Sequence, residues 1–319
     1  MELGVVSDYK RSAAILMILD AHFHLLPDEV IRNASFYNES WGGMDGHLRA
    51  MDEAGVSRAL ISYPTTDFHV RAAMTEIAAA AAYNRGVKDI AANSGGRLSW
   101  LAAVPLADAG GMISLGEEAL SEGASGFTMP TNGGGVYPDE GRFLPFFEKA
   151  EAWCKPVFFH PTTLSPFGFE KLRHPLITPV FQYAFDTTLC LAKIIDCGLL
   201  EKLPRLKLVF ASFAGVMPFL AGRYGRTYKM LLGRGIVKGM GEGPEEVLKK
   251  IYIDTSGAAD ARMLDLAINV FGEDRVLWGS DFPANRDIRA SIDAVKELLI
   301  SDTSKMNIFS GNLETLLCN

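Results

Sequence analysis

The sequence predicts an α/β protein: a single-domain (β/α)8 barrel of the TIM type over residues 15–319, behind an N-terminal extension at 1–14. Three observations point there. Eight short apolar runs alternate with longer segments of helical periodicity along the whole chain. Several runs are continuously apolar, as strands buried on both faces of a parallel sheet must be. The 319 residues carry no linker, repeat or low-complexity tract, which suits one barrel of roughly 250 residues or more. Strand count alone does not establish closure, so a doubly wound open sheet stays as the alternative.

In chain order the strand candidates are Ile15–Ala21, Arg58–Tyr63, Leu98–Val104, Gly126–Met129, Val157–His160, Leu206–Ala211, Ile251–Thr255 and Val276–Gly279. The first follows Lys10 and Arg11 and faintly imitates a signal peptide. Its apolar run is short and leads, without a small-residue cleavage site, into Asp20-Ala21-His22, so it reads as a buried strand. Between the strands, Thr75–Arg85 is alanine-rich, and Leu144–Trp153 follows the turn signal Pro138-Asp139-Glu140-Gly141. Gln182–Cys197 repeats apolar residues at helical steps and stops at Gly198, and Ala259–Phe271 ends at Gly272. The glycine-rich stretch Gly233–Gly243 lacks the preceding strand and the spacing of a dinucleotide loop and reads as a connection.

Composition narrows the partners. Lys and Arg number 31 against 38 Asp and Glu, a net charge of −7, and the pI is near 5.5. A nucleic-acid or anionic-membrane partner would favour a basic face, so neither is expected. No apolar run reaches the roughly 18 residues of a membrane span. The four cysteines, Cys154, Cys190, Cys197 and Cys318, form no Cys-x-x-Cys pair and read as free thiols in a reducing, cytoplasmic compartment.

In a parallel barrel the chemistry sits at the carboxyl ends of the strands. Strand one ends in Asp20-Ala21-His22-Phe23-His24, and two histidines two apart on an extended segment project to one side. Strand five ends at His160 and strand eight runs into Gly279-Ser280-Asp281-Phe282-Pro283. Three imidazole nitrogens and a carboxylate oxygen around an open position suit one divalent metal, Zn²⁺ first and Mn²⁺ second. Each residue alone is an ordinary strand-end group; their conjunction at one mouth carries the metal reading. Around it, His69 follows strand two, Asp254 ends strand seven, His174 lies in the loop after strand five, and Phe167, Phe169 and Trp278 offer an apolar wall. His47 falls on a helical segment, Asp45–Gly55, and reads as packing.

These motifs resemble the amidohydrolase superfamily, in its branch of aminocarboxymuconate-semialdehyde and phenolic-acid (6-methylsalicylate, γ-resorcylate) decarboxylases. The resemblance rests on Asp20-Ala21-His22-Phe23-His24, His160-Pro161 and Gly279-Ser280-Asp281-Phe282-Pro283. It extends to Phe185-Asp186-Thr187-Thr188, Leu203-Pro204-Arg205-Leu206-Lys207, Asp254-Thr255-Ser256 and Ser310-Gly311-Asn312, from about Leu19 to Leu316. It implies that His22, His24, His160 and Asp281 hold one metal, that Arg223 reaches a substrate carboxylate across a homodimer interface, and that the substrate is a small carboxylic acid. About twenty residues separate His24 from Asp45, too few for the insertion that carries a further substrate arginine in the semialdehyde branch; this favours a monocarboxylic acid.

The chain departs from the family's pattern at the end of strand six. A histidine is expected there in a His-x-Gly-Gly context; the segment reads Ala211-Ser212-Phe213-Ala214-Gly215. An imidazole can take a proton near neutrality, whereas Ser212 can hydrogen-bond, or attack only if activated. Decarboxylation tolerates that loss better than hydrolysis, because the metal stabilises the developing charge, and the resemblance to the phenolic-acid branch implies that Asp281 supplies the proton. The expected activity is therefore non-oxidative decarboxylation of a small aromatic or unsaturated acid, with Asp281 and Ser212 as the catalytic pair. Three alternatives remain on sequence alone: a hydrolase, hydratase or pathway lyase on the same scaffold, a silent homologue that binds a small acid, and an introduced substitution at position 212.

Overall fold

The computed structural model describes residues 17–257 and 260–318. Eight parallel strands follow the predicted order: β1 (Leu19–Phe23), β2 (Arg58–Ile61), β3 (Leu98–Trp100 continuing as Ala102–Ala103), β4 (Phe127–Pro130), β5 (Val157–His160), β6 (Leu208–Phe210), β7 (Tyr252–Asp254) and β8 (Val276–Leu277). Each pairs with its sequence neighbour. The ring closes between β8 and β1 through Ala21 N–H to the Trp278 carbonyl at 2.9 Å, His24 N–H to Phe282 at 2.8 Å and Asp281 N–H to His22 at 2.9 Å. That closure removes the open-sheet alternative.

Boundaries shift for physical reasons. β1 lies further along than the apolar run, because the polar Asp20 and His22 contribute backbone groups to the ladders on both sides. Ile15, Leu16 and the extension 1–14 fall outside the described residues. The third strand breaks at Leu101: residues before it pair with β2, those after it with β4.

Two apolar layers build the body. Inside the barrel Leu19, Ala21, Leu60, Leu101, Phe158, Val209 and Leu277 fill the lower interior, and Leu313 and Leu316 of the C-terminal helix (Asn312–Cys318) plug that end. Outside, the larger cluster joins strands to the helical ring; Phe127, Phe146, Phe159 and Phe210 are among its fully buried rings. Helix starts carry side-chain caps from Thr75, Asp108, Asp260, Asp287 and Ser301, each accepting an otherwise orphaned N–H. With one end plugged, the polar strand termini gather at the other. No helix among the described residues is long and apolar enough to cross a membrane.

Candidate metal centre

β1 supplies His22 and His24. They flank Phe23, whose ring packs outward on His47 and Phe282, so both imidazoles turn inward. The ladder to β2 shifts register between Asp20 and Phe23, immediately beneath them. β5 ends on His160, and the turn after β8 carries Asp281 in a left-handed conformation, φ 61°. For a non-glycine residue that is strain of the kind found at functional sites.

Each imidazole is anchored through Nδ1: His22 to Asp254 Oδ2 at 2.8 Å, His24 to the Ser62 carbonyl at 2.9 Å, His160 to the Pro161 carbonyl at 2.9 Å. Carbonyl and carboxylate oxygens only accept, so each Nδ1 carries its hydrogen and Nε2 is left to face the mouth. The three histidines' ligand atoms lie within 4.8 Å of one another. His22 Nε2 stands 3.1 Å from His24 Nε2, and Asp281 Oδ1 lies 3.3 Å from His24 Nε2 and 3.6 Å from His22 Nε2. Two imine nitrogens that close need positive charge between them, either a proton or a cation. Three nitrogens and one oxygen, each ring pre-aimed by an acceptor behind it, fit a divalent metal.

The electrostatics agree. Burial disfavours a charge on His22, but the Asp254 and Asp281 carboxylates outweigh it and lift His22 to about 9. Burial lowers His24, helped by the neighbouring His22, and lowers His160 further, helped by both other rings. Burial also works against the charge of Asp254, yet His22 beside it and hydrogen bonds from Ser256 and Ser212 hold that carboxyl below its ordinary value. Beneath the cluster, burial pushes Asp20 up to about 7 although Ser280 and His22 hydrogen-bond to it.

The other expected residues scatter. Ser212 lies half-buried beside β7, its Oγ 3.0 Å from Ser256 Oγ. His69 borders a cavity of about 640 Å³, open to solvent, beside Tyr63, Leu106, Met129 and Thr162; none of the four metal-cluster side chains lines it. Phe167 is half exposed on the loop after β5, its N–H bonded to the buried Asp186. Arg223 is exposed on the helix Met217–Gly233. Trp278 does not line the mouth: it follows the inward Leu277, faces the helical layer, is fully buried and packs on Phe309. His47 is buried against Phe23 and Phe282, as its packing reading expects. His174 caps a turn, accepting from Leu176 and Ile177 N–H.

Sequence reasoning missed Trp41, stacked on His24 with centroids 5.8 Å apart and buttressed edge-on by Tyr37 at 4.7 Å. Both come from the loop after β1, whose only signal was two aromatics in a polar stretch. It also missed Ser256, which needed the β6–β7 pairing to reach position 212.

A closed parallel barrel gathering three imidazoles and a carboxylate at one mouth defines a metal-dependent barrel protein. A family model described as amidohydrolase matches residues 19–317, and the chain belongs to the amidohydrolase family. Among its relatives, a 2-amino-3-carboxymuconate-6-semialdehyde decarboxylase of Dictyostelium discoideum is 28% identical over 197 residues, covering 60% of this chain and 53% of the relative. The match thus spans about half of that protein's length. A γ-resorcylate decarboxylase of a Polaromonas species is 25% identical over 289 residues, covering 85% of this chain and 86% of the other. A solved dihydroxybenzoic acid decarboxylase from Polaromonas, with bound manganese and 2-nitroresorcinol, superposes with a TM-score of 0.79 at 19% identity, over 95% of this chain and 97% of that one. That likeness shows the fold.

Proposed function

We propose that the protein is a metal-dependent, non-oxidative decarboxylase of a small aromatic or unsaturated carboxylic acid. The observation that carries this is the convergence of His22, His24 and His160 Nε2 with Asp281 Oδ1 at the end of the barrel opposite the C-terminal helix. The relatives' names support the reaction class. When bound, the cation supplies Lewis-acid stabilisation of the negative charge that develops as the carbon–carbon bond breaks; zinc suits the donor set best, and manganese is supported by the Polaromonas structure.

The remaining work falls to this chain's residues. Carbon dioxide leaves with neither of the bonding electrons, and one proton must reach the carbon it leaves. Asp281, with its side chain 30% exposed, stands where it can hold and deliver that proton. Trp41 stacks on His24, His69 stands at the neighbouring cavity, and Phe167, half exposed on the loop after β5, is the proposed apolar wall for the substrate. Ser212 holds a substrate oxygen. The family resemblance further supports a homodimer in which Arg223 reaches the partner's substrate; exposed Arg223 and the 80% exposed Phe219 share one helix. Free cysteines fit a cytoplasmic enzyme.

The test is carbon dioxide release from a panel of hydroxybenzoates by zinc- or manganese-loaded protein. Turnover is expected with one phenol formed per carbon dioxide, and Asp281→Asn should slow it by about 10²–10⁴-fold. Metal-loaded protein that binds these acids and releases no carbon dioxide would refute the reaction.

A further inference from the structure

A lone serine hydroxyl is ambivalent: it rotates to donate or accept as its partner requires. Ser212 is not alone. Asp254 Oδ1 accepts from Ser212 N–H at 2.9 Å, from Ser256 N–H at 3.0 Å and from Ser256 Oγ at 2.5 Å. An oxygen receiving three donors carries no proton of its own. The single hydroxyl hydrogen of Ser256 is therefore committed to Asp254, in the shortest contact of the group. Ser256 Oγ offers only lone pairs to its remaining neighbours, Ser212 N–H at 3.0 Å and Ser212 Oγ at 3.0 Å. So the hydrogen in that last contact must come from Ser212.

The backbone leaves little room to rearrange. Ser212, Phe213 and Ala214 have φ of 52°, 62° and 58°, a left-handed turn pinned by Ala214 N–H to Ala211 at 3.0 Å and Gly215 N–H to Ser212 at 2.9 Å. At Gly215 a side chain would collide with the Ala184 carbonyl and Thr188, so the turn is clamped on the neighbouring helix.

We infer that Ser256 fixes Ser212 as a hydrogen-bond acceptor only, so that the carboxyl end of β6 selects a substrate presenting a hydroxyl or amine hydrogen there. Ser256 is thus a positioning residue for specificity, a role that rests on the decarboxylase reading for its substrate but not for its hydrogen-bond direction. A ligand with an ether oxygen at that point would set lone pair against lone pair, and a site built for a hydroxyl discriminates strongly against its absence.

The experiment compares matched benzoates, each ring hydroxyl against the methoxy group at the same position, by calorimetric binding to manganese-loaded protein. In the wild type one position should favour hydroxyl by about tenfold or more. Ser256→Ala frees the Ser212 hydrogen to turn outward, and the preference should fall to about threefold or less, with metal content and circular dichroism unchanged. Ser212→Ala should abolish it. Neutron diffraction of perdeuterated wild-type protein reads the direction without any ligand: a Ser212 deuteron on the line to Ser256 Oγ is expected. A deuteron running from Ser256 to Ser212, or an undiminished preference in Ser256→Ala, overturns the inference. Binding without carbon dioxide release would overturn the reaction class and leave both readings intact.

Discussion

Two edges of the same mouth, interleaved around the ring, are built on opposite plans. On the first, at the ends of β1, β5 and β8, three imidazoles converge, and each is held from behind by an oxygen that can only accept. On the β6–β7 edge there is no imidazole. A left-handed turn presents Ser212, and its hydroxyl is tied sideways into Ser256. The first edge concentrates lone pairs and needs a cation; the second has fixed its hydrogens and needs none. Asp254 joins them, with Oδ2 on His22 and Oδ1 on the two serines. One buried carboxylate can therefore tune metal grip and substrate recognition, yet the two edges should fail differently when broken.

The largest separation should come from removing a ligand on each side. His160→Ala removes one of three nitrogens and should weaken zinc binding by more than about 10³-fold, beyond the roughly 10–100-fold that supporting residues contribute. Ser212→Ala should leave zinc affinity within about threefold of wild type, because Ser212 touches the cluster only through Asp254. Competition with a chromophoric chelator measures both. Metal loss in Ser212→Ala would mean that the two edges are one unit.

Proton competition sharpens the contrast. Without a cation His22 holds its proton up to about 9, so a metal must displace it at neutral pH. The sign follows: falling pH favours the proton, and metal affinity should drop by about tenfold per unit below 9, with close to one proton released on binding at pH 7. Calorimetry in buffers of different ionisation enthalpy counts that proton. Asp254→Asn removes the carboxylate that raises His22 and should flatten the slope near neutrality. An unchanged slope in that variant would assign the proton to another group.

The contrast also explains which parts of the site were legible in the sequence. His22, His24, His160 and Asp281 stand at strand ends, where period-two alternation and the barrel's polarity decide their direction. Trp278 lies one residue beyond the inward Leu277, and the same alternation sends it into the helical layer rather than the mouth. The offset of β1 was hidden because its pairing runs on past the apolar run through the polar His22 to Phe23. Ser256 and Trp41 act through contacts across strands or from an irregular loop, where no periodicity points. The serine at 212 was legible as a substitution, but its hydrogen-bond direction depended on a partner 44 residues away.

The smallest effect tests the backbone rather than the side chains. Ala214 has φ of 58° at the end of three consecutive left-handed residues, where each non-glycine residue costs about 1–2 kcal/mol. Ala214→Gly relieves that cost but adds unfolded-chain entropy of roughly 0.5–1 kcal/mol and gives up a fully buried methyl worth about 0.8 kcal/mol, so a net change close to zero is expected. Ala21→Gly, by contrast, sits in extended β1 with its methyl group in the barrel interior. There glycine brings no relief, only the entropy cost and a lost buried methyl, so about 1–2 kcal/mol of stability should disappear. Denaturant unfolding should thus lower the midpoint of Ala21→Gly and leave that of Ala214→Gly close to wild type. Equal destabilisation would mean that the Ser212–Gly215 turn holds no strain and that the fixed orientation of Ser212 rests on its hydrogen bonds alone.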